Sequence, residues 1–421
     1  MRVQRRGRHW GWGLLVVALL GTWGWASDGL ELHALCAVNG AGFGNQHREY
    51  VGCAAVAEQL QRSLTLGPFL INQFHEQRVI HTHENARRYL ELEQVYDVDR
   101  LRGHVQLHTA AAFRAACPLD EIIVLDLTPE SKRKASDRNT QCLALQSVGY
   151  DCPTHLRHVN RPDRVYLAGL PDVLAAEGLA THRCLLLLGS FKFTNQLVSR
   201  FVRSRAPAEA QLVQETFSWF YRVDRLQQMA VRYMSMELRG EPFLALHLRF
   251  EEEKCRYGHN NLGLPMRAKP PRETGTAICF RFWNPNEPPT AWLPLAKVME
   301  FVAARARDQG ARRLFLASDN QAHSFWTAMS REARMHNLTL APPLWEAAAY
   351  LEHRQFEDNI ELMLVEQELC RRAAHFVGTI SSTWSAQVAV ERRMQRQADS
   401  SWLGGIGNLP SPEPVGVAYF P

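Results

Sequence analysis

Several signatures that would identify a chemistry directly are missing from this 421-residue sequence. It has no GxxxxGK[ST] motif, which disfavours P-loop phosphate binding, and no GxGxxG motif of the kind that binds dinucleotides. None of its nine cysteines forms a CxxC pair. His104 and His108 have a ligand-like spacing, but no cysteine pair lies near them, so the sequence predicts no metal site. The function has to be inferred from less specific patterns.

The sequence also has little net charge outside its first residues. It contains 48 basic and 43 acidic residues, but four of the basic ones are arginines within the first nine positions. Without those four, 44 basic residues face 43 acidic ones. A nearly neutral body argues against a nucleic-acid-binding surface. The length suits two domains better than one.

Long apolar runs are scarce, and the one that stands out follows these arginines, from Trp10 to Trp25. A basic segment before a short apolar one is typical of a secretory signal, and Gly24-Trp25-Ala26 offers small residues for cleavage. The run is short for a membrane span of about 20 residues. We therefore predict that residues 1–27 are a signal peptide, with a single-pass type II anchor as the alternative. Either one places the body in the lumen of the endoplasmic reticulum or Golgi, which the sequon Asn337-Leu338-Thr339 also fits.

Cysteine usage gives a weaker indication of the same compartment. In an oxidising lumen several of the nine cysteines would pair, and an odd number leaves at least one free. Cys255 and Cys279 bracket a polar loop and are the best candidates for a bridge. Cys184 and Cys370 have apolar neighbours and are predicted to be buried thiols.

Short apolar runs alternate with amphipathic stretches along the chain. Such alternation predicts an α/β fold with doubly wound parallel sheets. Amphipathic helices are expected over residues 46–64 and 293–308, the second ending at Gly310. Gly240 and Pro242 mark a break, so we predict domains over residues 28–238 and 239–400 and a surface tail over 401–421. The predicted strands are Leu32–Val38, Glu121–Leu127, Cys184–Leu188, Phe243–Leu248, Arg313–Ala317 and Ala374–Thr379.

The most informative segment is the strand that begins at Phe243. Its apolar run, Phe243 to Leu246, ends in His247 and Arg249, which point to the same side because they are two residues apart. Ligands of open α/β sheets bind beyond the carboxyl ends of the strands, and an arginine fork suits a phosphate. The alternative is that Arg249 only pairs with the nearby Glu251 to Glu253.

Two further strand ends carry residues suited to a nucleotide. The first strand leads into Asn39-Gly40-Ala41-Gly42-Phe43-Gly44-Asn45, a glycine-rich turn that allows close approach to a ligand or is simply tight. Asp319, after the strand that ends at Ala317, could hold a ribose hydroxyl or cap the next helix.

A fourth strand end combines hydroxyl groups with a helix start. Ser381-Ser382-Thr383-Trp384 follows the strand Ala374–Thr379 and opens a helix, so it supplies donors for phosphate oxygens or a simple N-cap. Glu366 lies in the preceding helix. Its carboxylate could accept both N1–H and N2–H of guanine, or be a solvated charge.

Together these motifs resemble the GDP-fucose protein O-fucosyltransferase family. The resemblance rests on Gly42-Phe43-Gly44-Asn45-Gln46, on Ala245-Leu246-His247-Leu248-Arg249, and on His375-Phe376-Val377-Gly378 followed by Ser382-Thr383-Trp384. Tyr96-Asp97-Val98 fits as well, and the order holds over residues 32–393. Some features match the branch that modifies EGF-like repeats, and others match the plant-type branch.

The resemblance implies a GT-B fold, in which two Rossmann-like domains face a central cleft. It implies inverting, metal-independent transfer of fucose from GDP-fucose to a Ser or Thr hydroxyl of a secretory-pathway protein, with no cofactor. Arg249 would be the catalytic residue and neutralise the departing phosphate. The donor would be bound by Phe43, Gly44, Asn45, His247, Arg249, Glu366, Ser382, Thr383 and Trp384, with Asp319 as a further donor or acceptor contact.

The catalytic base and the exact substrate stay open in the sequence. Some family members carry a Glu before the Gly-Phe of the first turn, where this chain has Ala41, and Glu251 and Glu252 are weak substitutes. One alternative is a related GT-B enzyme that uses another sugar nucleotide or a glycan acceptor. The other is an inactive carbohydrate-binding homologue.

Overall fold

The fold was analysed in a computed structural model of the full chain. The structure describes residues 31–38, 43–70, 89–130, 137–153, 155–195, 212, 215–248, 277–281, 290–318, 323–346, 359–379, 382–394 and 400–403. From Leu32 onward these residues belong to one compact unit. The predicted leader, the loop from Tyr257 to Pro289 apart from its described strands, and residues 404–421 lie outside the described residues.

Fifteen β-strands are present in the described part of the chain. In chain order they are β1 (His33–Cys36), β2 (Ser63–Thr65), β3 (Phe69–Leu70), β4 (Tyr89–Leu90), β5 (Leu107–His108), β6 (Ile123–Asp126), β7 (Arg157–Asn160), β8 (Cys184–Leu188), β9 (Phe243–Leu248), β10 (Ala277–Arg281), β11 (Thr290–Pro294), β12 (Arg313–Ser318), β13 (Thr339–Leu340), β14 (His375–Thr379) and β15 (Ser400–Leu403).

Helices separate most of the parallel strands. The α-helices named here are α1 (Phe43–Gln59), α2 (Leu92–Val95), α3 (Val98–Arg102), α4 (Ala110–Ala116), α5 (Asp137–Ser147), α6 (Leu170–Ala176), α7 (Asp224–Met236), α8 (Leu295–Asp308), α9 (His323–Met335), α10 (Asn359–Arg372) and α11 (Thr383–Met394). Residues 190–195 are helical as well.

The two main sheets are parallel throughout, and in each the first strand in chain order lies inside the sheet rather than at its edge. The first has the order β5-β2-β1-β8-β6-β7 and the second the order β13-β12-β9-β14-β15. The order of the second sheet, numbered within it, is 3-2-1-4-5, the arrangement of a Rossmann-type sheet. The predicted α/β fold with doubly wound parallel sheets is therefore confirmed.

The strands at the centre of each sheet are fully buried, as their continuous apolar sequences predict. All five residues of β8 are buried, and all six of β9. Every strand predicted from the sequence is present. β15 pairs with β14 and continues three residues past position 400.

Helix ends follow local sequence signals. α8 ends before Gly310, which adopts a φ of 63°, while the N–H of Ala311 donates to the carbonyl of Ala306 at 2.8 Å. Asp97 accepts a hydrogen bond from the N–H of Arg100 and thereby caps α3. α1 was predicted to reach Leu64, but it ends at Gln59 because Gln61 adopts a φ of 51° and Ser63–Thr65 pairs with β1.

Three disulfides are present among the described residues. Cys36–Cys53 joins β1 to α1, Cys117–Cys184 joins the end of α4 to β8, and Cys142–Cys152 joins α5 to the segment before β7. The prediction that Cys184 is a free thiol was wrong, because Cys117 at the end of α4 lies beside the first residue of β8. Cys370 is a free buried thiol, as predicted. The predicted bridge between Cys255 and Cys279 lies outside the described residues.

Candidate active site

The strand order of the second sheet reverses between β9 and β14. From β9 the sheet extends to β12 and β13, and from β14 it extends to β15. Ligands of such sheets bind outside the carboxyl ends of the strands at this switch point. His247 is the fifth residue of the six in β9, and Thr379 is the last residue of β14. The sequence therefore brings these two strand ends to the place where a nucleotide is expected.

His247 is held in place by residues that follow β14. Its Nδ1 lies 2.6 Å from the Ser385 hydroxyl, and its ring stacks on the indole of Trp384 with centroids 4.1 Å apart. The Thr379 hydroxyl donates to the carbonyl oxygen of His247 at 2.7 Å. Since only 8% of His247 is exposed, the imidazole has a defined orientation at the switch point.

The start of α11 supplies the other predicted groups on this side. Ser382 is buried immediately before the helix, and its hydroxyl accepts a long hydrogen bond of 3.4 Å from the N–H of Ser385. Thr383 is the first residue of α11. Trp384 is buried against His247. The structure thus brings together two motifs that were predicted separately, with His247 from one and Ser382 and Trp384 from the other.

In the first sheet, β1 lies between β2 on one side and β8 on the other. The helix α1 follows β1 in the chain. Phe43 and Gly44 open α1 and are buried, while Asn45 is partly exposed. The Phe43 ring packs 4.7 Å from Phe69. The Oδ1 atom of Asn45 is buried and has no hydrogen-bond partner among the described residues. Phe43 is thus part of the core, whereas Asn45 retains an unused acceptor.

One turn further along α1, His47 lies in a fully buried aromatic environment. It shares a short hydrogen bond with the Tyr96 hydroxyl and lies 5.6 Å, ring to ring, from Phe220. Burial lowers the pKa of His47 to about 3, and nearby Arg222 and Arg48 act in the same direction against the opposing effect of Glu391. His47 is consequently neutral at ordinary pH.

Arg222 connects the two halves of the described chain through charged groups. Its guanidinium contacts both carboxylate oxygens of Glu391 in α11, at 2.8 and 3.2 Å. It also contacts Glu368 in α10 at 3.5 Å. The backbone of Arg222 forms a β-bridge with Tyr96, the partner of His47. We call Arg222, Glu368 and Glu391 the inter-half cluster.

The inter-half cluster is ionised although it is buried. Burial works against the charge on each glutamate, but Arg222 together with other nearby groups, Arg371 among them, outweighs it and holds the pKa of both Glu368 and Glu391 below the ordinary value. Burial likewise opposes the charge of Arg222, and the two carboxylates raise its pKa above the usual range. The cluster joins α10 and α11 to the segment before α7, and Tyr96 connects that segment to His47 in α1.

Glu366 has surroundings different from those of the other predicted site residues. It is 9% exposed in α10 and lies near the Tyr233 phenol and the Cys370 thiol. Burial is the main reason that the pKa of each of those two groups is raised, and the charge of Glu366 adds to it. No described contact joins Glu366 to His247 or Trp384, so its guanine-reading role stays a prediction.

Two predicted residues, Arg249 and Asp319, lie outside the described residues, as do Glu251 and Glu252. Conversely, no sequence pattern pointed to Ser385, His47 or Arg222. Ser385 follows a predicted motif by one residue and resembled a simple cap-region serine. Arg222 lies in an unremarkable Tyr-Arg-Val-Asp segment, and only the three-dimensional fold reveals its partners.

The family of the chain can now be stated. The model of the GDP-fucose protein O-fucosyltransferase family matches residues 34–395. The chain belongs to this family. It is a glycosyltransferase, and the resemblance read from the motifs is confirmed. No curated protein matches the chain significantly in sequence.

Solved structures with the same fold include POFUT1 in complex with GDP and POFUT1 in complex with GDP-fucose. Each is 16% identical, covers 90% of this chain and 100% of the POFUT1 chain, and superposes with a TM-score of 0.56. NodZ α-1,6-fucosyltransferase co-crystallised with GDP is 10% identical, with a TM-score of 0.42 over 90% of this chain and 97% of NodZ. The fold is GT-B, as predicted.

Proposed function

We propose that the protein transfers fucose from GDP-fucose to a Ser or Thr hydroxyl of a secretory-pathway protein. The observation that carries the proposal is the family match over residues 34–395. It is supported by the grouping of His247, Ser382 and Trp384 at the switch point of a Rossmann-type sheet. The solved POFUT1 complexes with GDP and GDP-fucose favour the same donor.

The proposed transfer is a single displacement at the fucose. The acceptor oxygen forms a bond to fucose C1 while the bond from C1 to the β-phosphate oxygen breaks. GDP and the hydroxyl proton are released, and the configuration at C1 inverts. Negative charge grows on the β-phosphate during this step, so groups that bind it more strongly in the transition state accelerate the reaction.

Residues of the second half suit this task. In the proposal His247 donates a hydrogen bond to the diphosphate, Arg249 neutralises its developing charge, and the start of α11 presents backbone N–H groups to it. We further propose that Phe43, Gly44 and Asn45 contact the donor from the other half: Phe43 is packed in the core against Phe69, and the unused Oδ1 of Asn45 is an acceptor for a substrate hydroxyl. Thr383 and Asp319 complete the proposed contacts, and no metal takes part.

The test is fucose transfer by the purified lumenal protein with and without EDTA. We expect activity in both conditions, and we expect Arg249→Ala to lower kcat by about a hundredfold to a thousandfold, as for other donors to a developing oxyanion. Arg164→Ala, at an exposed arginine of the first half, serves as the matched control. Transfer of another sugar, donor hydrolysis without transfer, or near wild-type activity of Arg249→Ala would each contradict the corresponding part of the proposal.

Base recognition has a separate test. GDP should raise the Tm of the protein, while ADP and UDP should not, because the Glu366 carboxylate can pair with guanine alone. Glu366→Gln should remove this preference, since an amide cannot accept both guanine hydrogens. Equal Tm shifts with the three nucleotides would reject the role of Glu366 without affecting that of Arg249.

The proposed site of action is the lumen of the endoplasmic reticulum or Golgi. Three disulfides in the described part of the chain suit an oxidising compartment. Among the described residues, no helix has both the length and the apolar character needed to cross a membrane. Membrane attachment, if the leader is retained, would be through residues 1–27.

A further inference from the structure

The hydrogen bonds around Ser385 determine which nitrogen of His247 carries a proton. Ser385 is fully buried in the first turn of α11. Its Oγ accepts a hydrogen bond from the backbone N–H of Thr379 at 3.1 Å and lies 2.6 Å from Nδ1 of His247. A backbone N–H is always a donor, so the hydroxyl hydrogen remains to be placed.

In the part of the chain that the structure describes, the imidazole is the one acceptor within reach of that hydrogen. Among the described residues, Ser385 Oγ contacts no carbonyl or carboxylate oxygen that could take it. A buried hydroxyl that failed to donate would leave a hydrogen bond unmade, which costs free energy. The hydroxyl therefore donates to Nδ1, and Nδ1 carries no hydrogen. A neutral His247 then has its hydrogen on Nε2.

A second histidine–serine pair in the same chain has the opposite arrangement. Nδ1 of His33 lies 2.8 Å from the Ser63 hydroxyl, a contact similar to that of His247 with Ser385. The Ser63 hydroxyl, however, donates to the carbonyl of Leu32 at 3.1 Å. His33 must accordingly donate to Ser63 from Nδ1. The two pairs look alike but assign opposite tautomers, and the His33 pair lies at the start of β1, at the end of the first sheet opposite its switch point.

We propose that Ser385 is a positioning residue, which keeps the hydrogen of His247 on Nε2 so that the imidazole donates to an anionic oxygen of the bound nucleoside diphosphate. The inference rests on the proposed function for the identity of that ligand. Without Ser385 the neutral ring can move its hydrogen to Nδ1, and Nε2 would then direct a lone pair at the phosphate. Trp384 keeps the ring plane in place in either case, so the effect of Ser385 is on the proton rather than on the position of the ring.

The first measurement is the ¹⁵N chemical shifts of the histidine side chains, with the His247 signals assigned by their loss in His247→Gln. In the wild-type protein we expect a neutral imidazole protonated at Nε2. In Ser385→Ala we expect a mixture of the two tautomers, and in Ser385→Thr, which keeps the hydroxyl, the wild-type state. A wild-type His247 protonated at Nδ1 would overturn the inference, and this result does not depend on what the enzyme binds.

The second measurement is the Kd for GDP in a double-mutant cycle. Ser385→Ala should weaken GDP binding about tenfold, the effect of losing one hydrogen bond to a charged group. In the His247→Gln background the same change should have almost no effect, because the glutamine amide donates without help from Ser385. Equal weakening in both backgrounds would mean a merely structural role for Ser385 and would reject the proposal.

Ser63→Ala is the matched control, since it removes a hydroxyl from the other histidine–serine pair. We expect it to leave GDP binding unchanged. If the wild-type protein binds no GDP at all, the proposed donor is wrong, while the tautomer measurement still decides the assignment at His247. If GDP binds normally and Ser385→Ala binds it equally well, the donor stands and the role of Ser385 is rejected.

Discussion

At the scale of single residues, burial determines the chemistry of His47 more than any neighbouring charge does. Its ring is fully buried between α1 and the aromatic side chains of Tyr96, Phe217 and Phe220. Desolvation lowers its pKa to about 3, although Glu391 acts in the opposite direction. The neutral form is therefore a condition for the native packing of the first turns of α1.

This shift predicts a pH-dependent stability. The pKa of His47 is lower in the folded protein than in the unfolded chain, where it is about 6.5. The contribution to stability is thus complete above about pH 6.5 and is lost as the pH falls toward 3. Between about pH 6.5 and about pH 5 the loss should reach roughly 2 kcal/mol. Urea unfolding at several pH values measures it.

The histidine can be tested against a neutral replacement. His47→Gln should lower the stability at neutral pH. It should also flatten the pH dependence of the stability between about pH 6.5 and about pH 5, because position 47 then carries no group that can be protonated. His155→Gln, at an exposed histidine, should leave the slope of the wild-type protein unchanged. A His47→Gln variant with the wild-type slope would show that another group causes the acid sensitivity.

At the level of single residues, the sequence places candidates well where a motif spans neighbouring positions. His247, Ser382 and Trp384 were chosen because each lies at or just beyond the end of an apolar strand, which depends only on local order, and the structure brings the three close together. Their roles in binding stay predictions. The partner of Cys184 was missed because Cys117 is 67 residues away, and an apolar neighbourhood fits a bridge as well as a thiol. Ser385 was missed because its importance comes from a hydrogen bond to another strand.

At the scale of secondary-structure elements, the inter-half cluster joins segments that the chain keeps far apart. Arg222 precedes α7, Glu368 lies in α10 and Glu391 in α11, and the two partners are 146 and 169 residues from Arg222. The side chain of Arg222 is only 4% exposed, and that of Glu368 is 0% exposed. Removal of Arg222 takes away the guanidinium that pairs with the buried Glu391, whereas Glu368 keeps Arg371 and Arg372.

We therefore expect Arg222→Met to lower the free energy of unfolding by about 3 to 5 kcal/mol, the range for breaking a buried ion pair from one side. The matched control is Arg157→Met, which removes an ion pair with Glu177 whose side chains are 55% and 52% exposed. That change should cost about 1 kcal/mol or less. Equal losses in chemical denaturation of the two variants would contradict a structural role for the cluster.

The elements themselves were predictable in proportion to their burial. The central strands β1, β6, β8, β9, β12 and β14 are continuous apolar runs and were all found. The sequence did not predict the strands β2, β5, β7, β13 and β15, because they are two to four residues long and carry polar residues. In β7, for example, three of four residues are exposed, so no apolar pattern distinguishes it from a loop. These short strands form because they pair with a neighbouring strand, rather than because of their local sequence.

At the scale of the whole molecule, the sequence predicted the architecture and the order of the motifs. The family match confirms the recognition, because motifs spread over most of the chain each had to occur in the right place. The domain boundaries at 238 and 400 stay predictions, although the first sheet ends at Leu188 and the second begins at Phe243. The contacts between the halves were not predictable, since they depend on how the two sheets pack.

The secretory assignment gives a prediction for the complete protein. Asn337 is exposed in the turn between α9 and β13, and it begins the only N-x-S/T sequon of the sequence, with Thr339 exposed as well. A chain that enters the lumen should carry an N-linked glycan there. Expression of the full chain in eukaryotic cells should yield a form whose mass falls on treatment with an N-glycosidase.

Two substitutions at one position provide the control for this glycan. Thr339→Ala should remove the mass difference, whereas Thr339→Ser keeps the sequon and should retain it. A full-length chain that is untouched by the glycosidase and stays in the cytosol would contradict the assignment to the secretory pathway. A lumenal chain without the glycan would contradict only the use of Asn337.

The distribution of disulfides between the two halves has a consequence for how the enzyme matures. All three bridges in the described part of the chain connect residues between Cys36 and Cys184. The first half therefore requires thiol oxidation to reach its final state, whereas Cys370 in the second half stays a free thiol inside the protein. Production in a reducing cytosol would thus prevent the first half from maturing, and recombinant work should begin in an oxidising host.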